Sequence, residues 1–179
     1  MKLFDEIPYL EDDRVILRKI TDDDIDALSE MSGSNVVYNY EPTYLFERQY
    51  TDMHEMIHDL YGECFEKKQN LFLGIIFKGD GQLAGLAEFY DYKEYLHLAS
   101  FGIRLRENYW SRGIATNTAK LMTDYLLNQT DVEIITASVM SENKASAHVL
   151  EKLGGTKTIS GAPEDWGHEN PTIADRWFL

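Results

Sequence analysis

The tetrapeptide Arg112-Gly113-Ile114-Ala115 stands between a strand-like run, FGIRL, that ends at Leu105 and an amphipathic run with apolar residues at 115, 119, 122 and 126. Gaps of four, three and four lay one stripe along a helix. The segment therefore reads as strand, tight polar turn, helix. Gly113 and Ala115 leave the first-turn N–H groups unobstructed. Those groups have no intrahelical partner and carry the positive end of the helix dipole. Such an opening suits a phosphate, and Arg112 adds a guanidinium that can fork onto phosphate oxygens. A helix start that needs small residues only for packing has the same spelling.

Three other constellations compete for attention. His54-Glu55-Met56-Ile57-His58 matches the H-E-x-x-H pattern of zinc hydrolases, yet Met53, Ile57 and Leu60 define the buried stripe there and no third ligand is evident downstream. Glu88 is a charge inside the otherwise apolar run QLAGLAEFY, on a face shared with Leu86 and Tyr90. A carboxylate so placed could have a raised pKa and take a proton from an amine, or it could sit in a structural ion pair. His97, Glu164 and Asp165 are further candidates for a base, against ordinary cross-strand or loop roles.

Two blocks carry a resemblance. Tyr109-Trp110-Ser111-Arg112-Gly113-Ile114-Ala115-Thr116 resembles the pyrophosphate-binding motif of the GNAT N-acetyltransferases, with Trp110 where Arg or Gln usually stands, as often in the RimJ/RimL-type branch. Asn143 to Gly154, NKASAHVLEKLG, resembles the same branch at the right distance downstream. The resemblance implies acetyl-CoA as co-substrate, no metal, and a single acetyltransferase domain over residues 1–179. Its pyrophosphate would lie on Arg112, Gly113, Ile114, Ala115 and Thr116. Its pantetheine would lie between parallel strands 98–105 and 133–139 that splay apart, against Gly102, Ile103 and Leu105, with N–H groups near Gly102 and Ile103 facing it. Asn143 would hydrogen-bond the cofactor, or serve as a plain helix cap. Many such enzymes protonate the leaving thiolate with a Tyr four residues after the position of Ser146; here Leu150 stands there. Ser146 would then orient or solvate the sulfur. The implied reaction is transfer of acetyl to a primary amine, a small molecule or a protein N-terminus. A module that holds acyl-CoA without turnover is the alternative.

The elements that must position these residues follow the same spacing logic. Arg14–Ile20 alternates as a strand, and Thr21 with Asp24 forms a capping-box variant before a helix that stops near Gly33. Asn35–Tyr44 is aromatic and irregular around Pro42, a pocket wall or a cover over the core. Apolar residues at 46, 50, 53, 57, 60 and 64 predict one long helix. Leu71–Phe77 is a strand buried on both faces; Gln82–Tyr90 and Tyr95–Leu105 follow antiparallel, with 95 to 105 sharing one face at odd positions. Glu133–Val139 pairs in parallel after the crossover helix. A short helix opened by Asn143 or Ser141 ends at Gly154. Thr156–Ser160 and Thr172–Leu179 flank a polar loop. The expected architecture is a mixed α/β, α+β layered fold of the GNAT kind, a central sheet of about six to seven strands with helices on both faces.

Composition limits the partners. The chain has 179 residues, 44% of them hydrophobic, enough for one sizeable core. Seventeen basic and 31 acidic residues give −14, which argues against nucleic acid and suits a cationic acceptor or simple solubility. One cysteine, Cys64, excludes an internal disulfide. The N-terminal MKLFDEIPYLEDD lacks a signal-peptide pattern and no run is apolar enough to span a membrane, so a cytoplasmic protein without membrane attachment is expected. A homodimer could form through an exposed final strand ending WFL.

Overall fold

The computed structural model describes residues 1–179. The central run predicted from its apolar sequence is β3 (Asn70–Phe77), and its alternation divides the core in two. Leu71, Leu73 and Ile75 face one side, packed with a cluster that includes Ala119, Met122 and Leu126. Phe72 and Ile76 face the other, packed with Leu28, Met31, Met56 and Ile57. Each side needs a helical layer because both faces of the strand are apolar.

Around it lies one sheet of eight strands in the order β1-β2-β3-β4-β5-β6-β8-β7. The others are β1 (Leu10–Glu11), β2 (Val15–Arg18), β4 (Gln82–Lys93), β5 (Leu98–Leu105), β6 (Ile134–Met140), β7 (Thr156–Glu164) and β8 (Thr172–Phe178). Helices α3 (Ile114–Gln129) and α4 (Lys144–Lys152) cover the first face; α1 (Ile25–Ser32) and α2 (Met53–Asp59) cover the second. Thr21 and Asp24 form the expected capping box.

The sheet has one strand more than expected, because the two-residue β1 pairs Leu10 with Leu17 inside a segment without strand periodicity. The long helix from 46 to 64 is broken instead. A short turn at Phe46–Arg48 precedes it, and Asp52 then caps α2, accepting from the N–H groups of His54 and Glu55. After Asp59 the chain widens into a π turn, Leu60–Cys64, where Gly62 leaves helical geometry at φ −101°, ψ −107°. Side-chain capping at Asp52 and the freedom of Gly62 override an unbroken apolar stripe. The strand expected from Tyr95 begins at Leu98, because Glu94–Leu96 forms a tight turn closed by His97 at φ 50°. In the late segment β7 runs on to Glu164, past bulges and Gly161 at φ 66°, so part of the expected loop is an edge strand that tolerates Pro163. The final strand β8 is interior, between β6 and β7; its backbone is used, and an exposed β8 edge is not there to pair with a second copy. No helix is long and apolar enough to cross a membrane.

Candidate active site

The only parallel pairing is β5 with β6, and it covers three positions: Leu98 with Ile134, Ala99 with Ile135, Ser100 with Thr136. Beyond Ser100, β5 continues to Leu105 against β4, while β6 continues to Met140 against β8. The two strands part and leave a wedge in the sheet. Arg106 donates its N–H to Ala84 on β4. Strand alternation then sends Gly102 the same way, toward Glu88, and turns the N–H and C=O of Ile103 into the wedge. The expectation that the Gly102 N–H faces the gap is corrected by this register; of the two residues, Ile103 presents its amide there.

At the C-terminal end of β5 the chain makes the turn that the sequence predicted. Trp110 donates its indole N–H to the Leu105 carbonyl at 2.8 Å. Ser111 and Gly113 both have left-handed backbones, φ 58° and φ 77°. The first helical bond of α3 runs from Asn117 N–H to Gly113 carbonyl, 3.1 Å, so the amides of Gly113, Ile114, Ala115 and Thr116 have no backbone partner. Arg112 packs its guanidinium 5.5 Å from the Tyr109 ring centroid and is not part of the cleft wall. A second cation escaped sequence analysis. Arg14 donates to the Arg112 carbonyl at 2.6 Å and lies beside Gly113. It lies in the bend just before β2, 98 residues upstream, so no local motif marks it.

On α4, Asn143 is the cap: its side-chain oxygen accepts from Ser146 N–H at 3.2 Å, while its NH₂ donates to Ser146 Oγ at 3.0 Å. With its oxygen accepting from Asn143, the Ser146 hydroxyl proton is free to donate elsewhere. Leu150, one turn on, is buried at the same cleft wall.

The opposite face of the sheet holds a buried charge cluster. The Arg104 guanidinium lies 2.7 Å from Glu47 Oε1 and 2.9 Å from Glu88 Oε2, over the Phe72 ring. Tyr38 O–H donates to Glu47 at 2.8 Å, and Asn70 donates to the second oxygen of Glu88. Burial pushes the Glu88 carboxyl above its ordinary range; Arg104 opposes this and Glu47 adds to it. Glu88 is thus both a buried titratable group and an ion-pair partner. Arg104 stays charged, because Glu47, Glu88 and Glu41 outweigh the cost of its burial. Tyr90 on β4 is driven up in pKa by burial and then by Glu88 and Glu41.

One continuous cleft of about 1540 Å³ joins these parts through the wedge. Its wall includes Ile114, Ala115 and Ser146 from the first face and Glu41, Glu88 and Arg104 from the second. The aromatic stretch around Pro42 contributes Tyr40 and Tyr44 to this wall. It is tied to the late loop by bonds from Thr43 N–H to Trp166 carbonyl, 2.9 Å, and from the His168 ring to the Glu41 carbonyl, 3.0 Å. Glu164 also lines the cleft but is engaged by Arg176, 2.7 Å, Trp166 and Ser138. His97 lies outside it, bonded to the Asp131 carbonyl at 2.8 Å. His54 and His58 are exposed and turn to Asp22 and Asp59, each at 3.3 Å; no three ligating side chains converge there.

A family model described as an acetyltransferase (GNAT) domain matches residues 14–156. The chain belongs to the GNAT acetyltransferase family. Among GNAT relatives, the uncharacterised N-acetyltransferase YoaA of Bacillus subtilis is 28% identical over 168 residues, covering 94% of this chain and 93% of its own. The spermidine N(1)-acetyltransferase of Escherichia coli is 28% identical over 141 residues, covering 78% and 72%. In three dimensions this GNAT chain superposes on the ribosomal L7/L12 α-N-protein acetyltransferase RimL, solved with coenzyme A, with a TM-score of 0.79 at 15% identity, covering 97% and 96%.

Proposed function

We propose that this chain is an acetyl-CoA-dependent N-acetyltransferase that moves an acetyl group to a primary amine, on a small molecule or a protein N-terminus, by direct attack in a ternary complex. The observation that carries it is the single cleft running from unpartnered amides, through a parted pair of parallel strands, to a chamber of carboxylates and aromatic rings. Each portion suits one portion of the reactants. The free amides of residues 113–116, with Arg14 and Arg112 nearby, would hold a diphosphate. Ile103 would pair with an amide-containing chain laid along the wedge, as in strand addition. Bound acetyl-CoA supplies an activated thioester. Ser146 would donate its hydroxyl proton to a sulfur at the α4 start, a reading supported by the Asn143 NH₂ that holds its oxygen. Beyond the wedge, Glu41, Glu88 and the rings of Tyr40, Tyr44, Tyr90 and Trp166 line the cleft. Carboxylates and aromatic faces favour an ammonium over an anion. Similarity to spermidine acetyltransferase supports an amine acceptor.

Leu150 in place of a phenol supports the alternative of a module that binds acyl-CoA without turnover. Incubation with acetyl-CoA and a panel of amines, with thiol release followed, separates the two. Release with at least one amine supports the transferase; CoA binding with no release across the panel supports the module. Absence of CoA binding overturns both.

A further inference from the structure

The acetyltransferase reading leaves open which group takes the proton of the acceptor, and the following inference rests on it. Glu88 has both oxygens engaged, one by Asn70 and one by Arg104. Glu47 holds Arg104 and Tyr38. To accept a proton, either would have to give up a buried ion pair, which leaves the guanidinium under-compensated. Glu164 is committed to Arg176, Trp166 and Ser138. Glu41 differs from all three. It lines the same cleft, is half-buried, and its carboxylate makes neither a hydrogen bond nor an ion pair. Its backbone is nevertheless fixed, by its own N–H on the Tyr38 carbonyl and by the His168 ring on its carbonyl.

We propose that Glu41 is the general base: its carboxylate takes a proton from the acceptor ammonium inside the cleft. The N–H bond breaks, its electron pair stays on nitrogen as the nucleophilic lone pair, and an O–H bond forms on Glu41. The proton leaves to solvent along the open side of the cleft. The groups that face Glu41 set its behaviour. Tyr38 and Glu47 come from the segment that carries it, Glu88 and Tyr90 from β4, Arg104 from β5, and His168 from the late loop. One guanidinium already shared by two carboxylates leaves this wall net negative, which favours an ammonium and leaves Glu41 the remaining acceptor. Burial, opposed by Arg104 and helped by Glu47 and Glu88, pushes its carboxyl up to about 7. A base matched to neutral pH is the most effective there.

The test compares wild type with E41Q and E41D, using acetyl-CoA with spermidine, butylamine or a serine-initial hexapeptide as acceptor. Wild-type kcat/KM should rise with pH through an inflection near 7. E41Q should lose that limb and fall ~100-fold, E41D should recover part of it, and CoA affinity by calorimetry should be unchanged in both. A second readout needs no turnover: carbon-13 titration of glutamate carboxyls in the free protein should show one midpoint near 7 that E41Q removes. An E41Q profile that keeps the inflection, with kcat/KM within ~3-fold of wild type, overturns the proposal, as does Glu41 titrating in the ordinary glutamate range near ~4.3. Absence of CoA binding, or of thiol release with every acceptor, overturns the acetyltransferase reading and the role of Glu41 with it, even if the carboxyl titrates near 7.

Discussion

At Gly113 the backbone has φ 77°, a left-handed conformation that costs a non-glycine residue about 1–2 kcal/mol. A Cβ there would meet only Arg14 at 3.7 Å, so backbone conformation rather than space is the constraint. Gly113→Ala should lower stability in urea unfolding by that amount and weaken CoA binding several-fold, because relaxation of the turn re-aims the free amides. Asn143 offers a finer cut. Asn143→Asp keeps the oxygen that caps α4 but loses the NH₂ that anchors Ser146 Oγ. Unfolding should be unchanged, whereas kcat should fall about tenfold, the worth of roughly one hydrogen bond, as it should in Ser146→Ala. Asn143→Ala should in addition lose about 1 kcal/mol of stability. Residues of this kind are legible in sequence because their roles are local: a glycine at a turn, an asparagine before a helix. Arg104 and Glu47 were not, although 57 residues apart they form the tightest buried pair. Glu41 was hidden in an aromatic stretch whose place on the wall depends on a loop more than a hundred residues later.

At the scale of elements, apolar period placed β3, β4 and α3 within a few residues because burial drives all three. It failed at residues 46–64, where a stripe facing the core is kept while the backbone beneath it changes from turn to α to π geometry. Periodicity reports which side chains are inside, and a cap such as Asp52 decides how the backbone gets them there. Beyond α4, one carboxylate reinforces the backbone ladder between β8 and β7. Asp175 receives bonds from Lys157 and Ser141, 2.8 and 2.7 Å, and from Gly161 N–H. These bonds lower its pKa to about 2, with burial opposing. A group whose folded pKa is depressed adds stability above its unfolded pKa and loses it as pH falls through the folded one. Asp175→Asn should therefore cost about 2 kcal/mol at neutral pH, in line with loss of charge-assisted bonds. The gap between variant and wild type should close between about pH 4 and pH 2 when unfolding is followed by near-ultraviolet dichroism.

For the molecule as a whole, a charge of −14 acts on the two reactants in opposite directions. It repels an anionic coenzyme and attracts a cationic amine, and salt screens both beyond about 10 Å at 0.1 M. Raising ionic strength from low to moderate should speed CoA association in stopped-flow binding and raise KM for spermidine. A neutral acceptor whose KM responds as strongly would count against steering by the global field. The mixed layered fold was legible because each helix and strand signal agreed with its neighbours; the wedge between β5 and β6 was not written in either strand and came only through the family resemblance.

That wedge divides the sheet into a five-strand panel and a three-strand panel stitched by three parallel residue pairs and wrapped by α3. A ligand laid along the seam would act as a ninth strand, closing backbone groups that otherwise exchange with water. Deuterium uptake should consequently slow on both lips, at Ile103 and at Ser138 and Met140, when coenzyme is added, and limited proteolysis between the panels should slow with it. The substrate, on this view, is also the fastener that makes two panels one sheet.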